Sequence, residues 1–213
     1  MKTAIIGAGN RGGSIARGLA KGTIIPANDI IVSNPTQHKL DVLKAEFPAL
    51  QTTRDNQEAV TGAELIILAV KPWLIKPVVS ELKLKSKQIL ISVAAGIPFE
   101  ELAHYVADKE MTMFRLIPNT AISEMESMTL IASRNASKEQ EQLLLDIFNQ
   151  MGLAMLIPLE TVSNNFDYIG MNASVAKKID EILKLDEMAD TTSKAELSDH
   201  TIVFEHVTFS YGE

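Results

Sequence analysis

The sequence predicts an α/β fold built on a doubly wound, mostly parallel sheet. Short runs rich in Ile, Leu and Val alternate with longer amphipathic segments, which is the pattern of buried parallel strands joined by helices. Three glycines in quick succession separate the first apolar run from the first amphipathic segment. The β-α-β-α alternation also predicts that helices cover both faces of the sheet.

The predicted strands are the short apolar runs. They lie at 4–6, 30–32, 65–70, 89–93, 113–117, 128–132 and 153–157. The amphipathic segments between them predict helices at 12–20, 37–47, 73–82 and 98–106. Pro98 suits a first helical turn, and Glu100 and Glu101 would lie near the positive end of that helix dipole. A further helix is predicted to begin at Ser137, because an acidic residue and a glutamine follow it in a capping arrangement.

The composition argues against several classes of protein. The chain has 213 residues, which is room for one large domain or for one ordinary domain and an appendage. Its net charge of -7 argues against a general nucleic-acid binder, and the lack of cysteine excludes disulfides and thiolate metal sites. No segment reaches the roughly 18 apolar residues of a membrane span, and the first apolar run is too short for a signal peptide. We therefore expect a soluble, cytoplasmic protein without a nucleic-acid partner.

The glycine cluster predicts a dinucleotide site. Gly7, Gly9 and Gly12 form a G-x-G-x-x-G motif between a predicted strand and a predicted helix, as in Rossmann-like folds. In this motif the first glycine permits a tight turn, the second lets the backbone approach a pyrophosphate, and the third allows close helix packing. Free N–H groups at the helix start would supply the anion site. The alternative is a glycine turn with a purely structural role.

The end of the second strand favours NADP(H), with NAD(H) as the alternative. An NAD-selective site usually places Asp or Glu there to hold the ribose diol, whereas this chain has Ser33, Asn34 and Thr36. A carboxylate would repel a 2'-phosphate, but hydroxyl and amide groups can donate hydrogen bonds to it. His38 and Lys39 either add positive charge nearby or are simply solvated.

The character of the sequence divides the chain into three regions. Residues 1–158 predict the Rossmann-like NADP-binding domain. Residues 159–188 include the amphipathic helical segment "NASVAKKIDEILKL". Residues 189–213 combine an acidic linker with alternating apolar and polar residues that predict incomplete β strands.

Six short stretches carry a resemblance to a known family. They are "IGAGN", "VSN", "DNQEAV", "LAVKP", "SVAAGI" and "IPNTA". In this order and spacing, the first 157 or so residues resemble pyrroline-5-carboxylate reductase, the last enzyme of proline synthesis. The resemblance implies NADPH-dependent reduction of the cyclic imine 1-pyrroline-5-carboxylate to proline. One difference is Arg11, because the family usually carries an apolar residue there; Arg11 either reaches a phosphate or lies exposed at a helix start.

The motif and the resemblance together define a set of candidate site residues. At the glycine loop and on the adenosine side, the cofactor contacts would be Gly7, Ala8, Gly9, Asn10, Arg11, Gly12, Ser33, Asn34, Thr36 and Asn56. Along the dinucleotide and beside the nicotinamide, they would be Ala69, Val70, Lys71, Pro72, Ala94, Ala95 and Gly96. Lys71 could instead be an exposed strand-end lysine, and 94–96 a simple tight turn. Asn119 either lies near the substrate or only caps a turn, and no catalytic or metal-binding residue is assigned.

The sequence after Leu156 departs from that family. The family's helical domain dimerises and contributes the substrate pocket, through serine- and glycine-rich and glycine-threonine stretches that do not follow Leu156 here. Residues 159–213 instead resemble the joint between the last transmembrane helix and the ATPase domain of an ATP-binding cassette exporter. The adenine-stacking residue implied there is Tyr211, but no phosphate loop accompanies it. A fusion, a rearranged gene and an engineered chimera would all produce this pattern.

Two hypotheses of function follow. The first is a pyrroline-5-carboxylate reductase-like enzyme whose turnover is impaired, because the cofactor and the imine would not be held together. The second is a non-catalytic NADP-binding module, or chimeric fragment, joined to part of an exporter. A transporter component is the weakest reading, since neither a membrane span nor a phosphate loop is present. The usual dimer of the family is not expected.

Overall fold

The computed structural model describes residues 1–106, 108 and 110–158, and the helical segment and strands predicted within 159–213 lie outside the described residues. In the described part, the strands are β1 (Thr3–Ile6), β2 (Ile30–Ser33), β3 (Gln51–Thr53), β4 (Leu65–Leu68), β5 (Ile89–Ser92), β6 (Met113–Ile117), β7 (Ser127–Arg134) and β8 (Gly152–Leu156). The helices there are α1 (Asn10–Lys21), α2 (Gln37–Glu46), α3 (Asn56–Val60), α4 (Pro72–Glu81), α5 (Phe99–Tyr105) and α6 (Lys138–Asn149). Two short 3-10 turns occur at Ala27–Asp29 and Thr120–Glu124.

All eight of these strands belong to one sheet, in the order β3-β2-β1-β4-β5-β6-β7-β8. Every neighbouring pair is parallel except β6 and β7, which are antiparallel. The order of the first six strands is that of the doubly wound dinucleotide-binding fold. The prediction of a Rossmann-like, mostly parallel α/β sheet is therefore confirmed.

The sheet is covered by helices on both faces, and each face has its own apolar core. On one face, α1, α2 and α6 contribute buried residues such as Ile15, Leu40 and Phe148. On the other face, α3, α4 and α5 contribute a second cluster that includes Phe99. In β1, Ile5 points to the first core and its neighbours in the strand point to the second, as the two-residue period of a strand requires. The central strands are thus buried on both sides, which explains their unbroken apolar sequences.

Two elements of the fold were not predicted from the sequence. β3 has only three residues, and it pairs at the edge of the sheet with β2 alone. α3 has five residues and begins after Asp55, whose carboxylate accepts hydrogen bonds from the N–H groups of Gln57 (2.7 Å) and Glu58 (3.2 Å). Both are too short and too polar to give a periodic apolar pattern.

The remaining differences concern where elements end. The apolar run at 65–70 is a strand only as far as Leu68. Pro72 begins α4, and Lys71 before it has extended backbone, as the residue before a proline favours. Pro98 is the residue that caps α5 rather than part of its first turn. The capping arrangement predicted at Ser137 is confirmed: its hydroxyl accepts from the N–H of Gln140, whose side chain accepts from the N–H of Ser137.

Candidate functional site

The glycine loop lies where the direction of winding changes in the sheet. β1 and β4 are neighbours, but the chain leaves β1 toward β2 on one side and leaves β4 toward β5 on the other. In doubly wound sheets, ligands bind outside the carboxyl ends of the strands at this switch point. Gly7 follows β1 and Ala69 follows β4, and the N–H of Ala69 donates to the carbonyl of Ile6 at 2.8 Å. The loop therefore occupies the position at which this class of sheet binds ligands.

Glycine is required, or leaves space, for a different structural reason at each of the three positions of the motif. Gly7 has φ +105, and a Cβ there would lie 2.8 Å from the carbonyl oxygen of Ala69. A Cβ on Gly12 would lie 1.9 Å from the carbonyl oxygen of Gly7, so α1 can approach the loop only with glycine at that position. A Cβ on Gly9 would meet nothing within 4 Å. Gly9 therefore borders open space directly in front of the helix, which a bound diphosphate would need.

The start of α1 presents backbone N–H groups to this open space. Gly9 is the N-cap residue, and the N–H of Gly13 makes the first hydrogen bond back to its carbonyl at 2.7 Å. The N–H groups of Asn10, Arg11 and Gly12 have no acceptor among the described residues, as expected for a first helical turn. Together with the helix dipole, they form a site that suits an anion. These residues therefore fit the diphosphate of a dinucleotide.

The predicted adenosine-side residues are brought together by hydrogen bonds, and we refer to Ser33, Asn34, Thr36 and Asn56 as the polar side. Asn34 is buried; its Oδ1 accepts from the N–H of Ala8 at 3.1 Å and its Nδ2 donates to the carbonyl of Thr36 at 3.2 Å. Ser33 is fully buried, and its hydroxyl donates to Asn56 Oδ1 at 2.7 Å. The Asn34 side chain thus ties the glycine loop to the segment that follows β2.

Burial separates these four residues into two groups. Thr36 is exposed and Asn56 is partly exposed, so both can meet a ligand directly. Ser33 lies behind Asn56 and orients its amide. His38 and Lys39 are exposed on α2.

The predicted nicotinamide-side residues follow β4 and β5, and we refer to 69–72 and 94–96 as the apolar side. Ala94 is buried and Ala95 is partly buried, whereas Gly96 is exposed with φ +71, a conformation that favours glycine. Lys71 is exposed, and its Nζ lies 5.9 Å from the ring centre of Trp73. Trp73 is the single tryptophan of the chain and is 72% exposed. Trp73 was not predicted as a site residue, although it directly follows the predicted cofactor segment 69–72.

Arg11 is not an exposed arginine at the helix start, whereas its contact with a phosphate stays a prediction. Its side chain is partly buried, and its Nη1 donates to the carbonyl of Val93 at 2.7 Å, at the end of β5. Because β4 lies between β1 and β5, the side chain crosses the carboxyl end of β4 to make this contact. The residue was predicted as a site residue, but its partner, 82 positions away, has no signal in the sequence.

Asn119 lies at the end of β6, before the second 3-10 turn. Its side chain makes no capping hydrogen bond to that turn. Its Oδ1 is buried and has no hydrogen-bond partner in the described part of the chain. A polar atom in this state is usually satisfied by a molecule that the protein binds or by ordered water.

The far part of α1 is fixed to α2 by an ion pair. Arg17 Nε lies 2.5 Å from Glu46 Oε2, and this hydrogen bond lowers the pKa of Glu46 and raises that of Arg17.

Within the described ranges, no three His, Asp or Glu side chains cluster closely enough to hold a metal ion. Of the helices seen there, none is long and apolar enough to cross a bilayer.

Comparison with known proteins agrees with this geometry. Residues 2–96 match the family model described as "NADP oxidoreductase coenzyme F420-dependent". The chain is 31% identical over 160 residues to pyrroline-5-carboxylate reductase of Methanosarcina acetivorans, and the matched region covers 74% of this chain and 58% of that protein. It is 36% identical over 135 residues to pyrroline-5-carboxylate reductase 2 of Dictyostelium discoideum, covering 62% and 45%. The chain therefore spans only about half the length of these relatives.

Solved structures give the same result for the fold. The pyrroline-5-carboxylate reductase of Coxiella burnetii has a TM-score of 0.68 and 28% identity, covering 86% of this chain and 72% of that one. The Plasmodium falciparum pyrroline carboxylate reductase, a structure with NADP bound, has a TM-score of 0.69 at 23% identity, covering 86% and 65%.

Residues 2–96 thus match the model of the NADP oxidoreductase class, and they form the first part of the Rossmann-like sheet. Within that class, the chain is similar to the pyrroline-5-carboxylate reductases named above. These similarities give no support to the predicted exporter-like character of 159–213. That reading stays a hypothesis.

Proposed function

We propose that the chain is a pyrroline-5-carboxylate reductase-like oxidoreductase that binds NADP(H) across the carboxyl ends of β2, β1, β4 and β5. The observation that carries the proposal is the glycine loop at the switch point. Its first-turn N–H groups have no acceptor among the described residues, and the space in front of Gly9 is open. The similarity to pyrroline-5-carboxylate reductases supplies the reaction class.

The glycine loop and the polar side would hold the diphosphate and the adenosine half. The N–H groups of Asn10, Arg11 and Gly12 would donate to the diphosphate, where the α1 dipole also favours negative charge. Thr36 and Asn56 would contact the ribose and its 2'-phosphate. No carboxylate follows β2 at this position, so a 2'-phosphate meets no direct repulsion and NADP(H) is favoured over NAD(H).

The apolar side would hold the nicotinamide half. Small residues such as Ala94 and Ala95 leave room for a flat ring against the backbone at the end of β5. The bound cofactor supplies the hydride that reduces the C=N bond of the cyclic imine. Asn119 would contribute its amide oxygen, which has no partner among the described residues, to the substrate side of this cleft.

Calorimetric titration with NADPH tests the binding step. We expect the wild-type chain to bind NADPH and Gly9→Val to lose binding, because a side chain at position 9 would project into the open space in front of α1. Gly13→Ala is the matched control, since a Cβ there meets only the flexible end of Arg17 closely. If the folded wild-type protein bound neither NADPH nor NADP+, the proposal would be wrong.

A turnover assay tests the reaction. NADPH oxidation on addition of 1-pyrroline-5-carboxylate would establish the reductase, and we expect slow turnover by this chain alone. The reason is that the stretches typical of the family's substrate domain do not occur after Leu156. NADPH binding without any imine-dependent oxidation would favour the alternative, a non-catalytic NADP-binding module. Light scattering on the same sample tests the proposal that the usual family dimer does not form.

A further inference from the structure

We infer that Arg11 makes the site discriminate between the two redox states of its cofactor, favouring the reduced form. The inference rests on the proposed NADP(H) site and concerns which form of the coenzyme that site prefers. It assigns to Arg11 a role different from a phosphate contact. The structural observation behind it is the hydrogen bond from Arg11 Nη1 to the carbonyl of Val93.

The position of Arg11 follows from the way a dinucleotide lies on this sheet. The diphosphate belongs at the start of α1, and the adenosine ribose belongs at the end of β2. The nicotinamide must then lie on the opposite side of the diphosphate, over the ends of β4 and β5. Arg11 starts in the first turn of α1 and reaches the end of β5, so its guanidinium lies on the nicotinamide side.

The charge of Arg11 is not neutralised by its contact. The group it binds is a neutral backbone carbonyl, and no carboxylate in the described part of the chain lies within ion-pair distance of it. An arginine is effectively always protonated in a protein. The side chain is partly buried, so water screens this charge less than it screens a fully exposed one. A positive charge is therefore held at the end of β5.

The two redox forms of the coenzyme differ in the charge of the ring. The oxidised nicotinamide carries a positive charge and the reduced ring is neutral, whereas the diphosphate, riboses and 2'-phosphate are the same in both. Any contact that Arg11 makes with those shared groups cancels in the ratio of the two dissociation constants. Repulsion between the guanidinium and the ring does not cancel, and it weakens only the oxidised form.

The test is to measure dissociation constants for NADPH and NADP+ by calorimetry on wild type and Arg11→Gln. Glutamine removes the charge and keeps a side-chain donor. We expect the ratio of the NADP+ constant to the NADPH constant to fall about tenfold in the variant, equivalent to about 1.4 kcal/mol. The NAD+ and NADH pair should show the same fall, because the 2'-phosphate plays no part in the ratio.

Two matched variants separate charge from structure. Arg11→Lys keeps the positive charge, so its ratio should stay close to that of wild type. Arg17→Gln removes a positive charge from the same helix, but the guanidinium there is paired with Glu46, so the ratio should not change. If Arg11→Gln folded poorly, wild type alone would still test the inference. Raising the salt concentration should bring the wild-type ratio of the NADP+ and NADPH dissociation constants closer to one.

Other outcomes would overturn the inference. Equal weakening of both redox forms in Arg11→Gln would mean that Arg11 contacts the diphosphate. An unchanged ratio with unchanged affinities would mean that the guanidinium moves away when the coenzyme binds. In both cases NADP(H) binding, and hence the proposed function, would stand. If no coenzyme bound to folded wild type, the proposed function itself would fail.

Discussion

The polar side and the apolar side of the cleft are built in different ways. On the polar side, the buried side chains of Asn34 and Ser33 form hydrogen bonds with other parts of the protein. Asn34 bonds the backbone of Thr36 and Ser33 bonds the side chain of Asn56, and these bonds hold the two more exposed residues in place. On the apolar side, small residues line the ends of two strands, and the side chain of Arg11 reaches across to the end of β5. Under the proposed function, this difference means that the polar side would recognise a phosphate, and that the apolar side would admit a flat ring beside the charge of Arg11.

The largest effect is expected where the two sides join. Gly12→Ala would place a Cβ 1.9 Å from the carbonyl oxygen of Gly7 and 2.9 Å from the Cβ of Ala69. Because the obstructing atom is backbone, α1 must move away from the loop, and we expect a loss of about 3 kcal/mol or more in the free energy of unfolding. Urea denaturation measures it.

The control for this prediction lies one residue further along α1. Gly13→Ala should be stable or slightly stabilised, because alanine favours a helix and the nearest atom is the end of the Arg17 side chain. Equal stability of the two variants would show that α1 is not held against the loop as the structure indicates.

A second substitution should act on the polar side alone. Asn34→Asp keeps an oxygen to accept from the N–H of Ala8, but it removes the donor to the Thr36 carbonyl and introduces a negative charge near the 2'-phosphate position. We expect NADPH affinity to fall about tenfold or more relative to NADH affinity, a change of about 1.4 kcal/mol in preference. Calorimetry with NADPH and NADH measures the preference. The ratio of the NADP+ dissociation constant to the NADPH dissociation constant should not change. A change in that redox ratio instead would remove the distinction between the two sides.

A smaller effect is expected for the residue behind the polar side. Ser33→Ala removes the 2.7 Å hydrogen bond to Asn56 and leaves the Asn56 amide free to rotate. We expect a loss of about 1 kcal/mol in stability, typical of one hydrogen bond, and a several-fold loss in NADPH affinity. Thermal unfolding and a parallel titration measure the two effects. Unchanged affinity would show that Asn56 does not contact the coenzyme.

The smallest effect is expected away from both sides, at the pair of Arg17 and Glu46. Glu46 is 40% exposed, so Glu46→Gln should cost only about 0.2–1 kcal/mol at neutral pH. The pKa of Glu46 is lowered in the folded state, so its contribution is present above the unfolded-state pKa and disappears as the pH falls through the folded-state pKa. Stability curves of wild type and variant should therefore converge in acid, while coenzyme affinity stays the same. A gap that widened in acid would contradict this assignment.

Much of the fold could be predicted from the sequence because the signals are local. The apolar runs predicted seven strands, and the arrangement at Ser137 predicted a cap that the structure contains. β3 and α3 were missed since three and five residues give no period to detect. The antiparallel pairing of β6 with β7 also has no local signature, because both strands are buried along most of their length, as parallel strands of such a sheet also are.

In the candidate site, too, the features with a local sequence signal could be predicted and the long-range contacts could not. The glycine motif by itself predicted the loop, because Gly7 needs a positive φ and Gly12 lies against the carbonyl of Gly7, and both requirements show in the spacing of the motif. Only the tertiary structure decided that Ser33 donates to Asn56, that Asn34 accepts from Ala8, and that Arg11 reaches Val93. These contacts join positions 23 to 82 residues apart, so they depend on how strands are ordered in the sheet. A sequence pattern records which face a residue occupies, whereas the order of strands determines what it meets there.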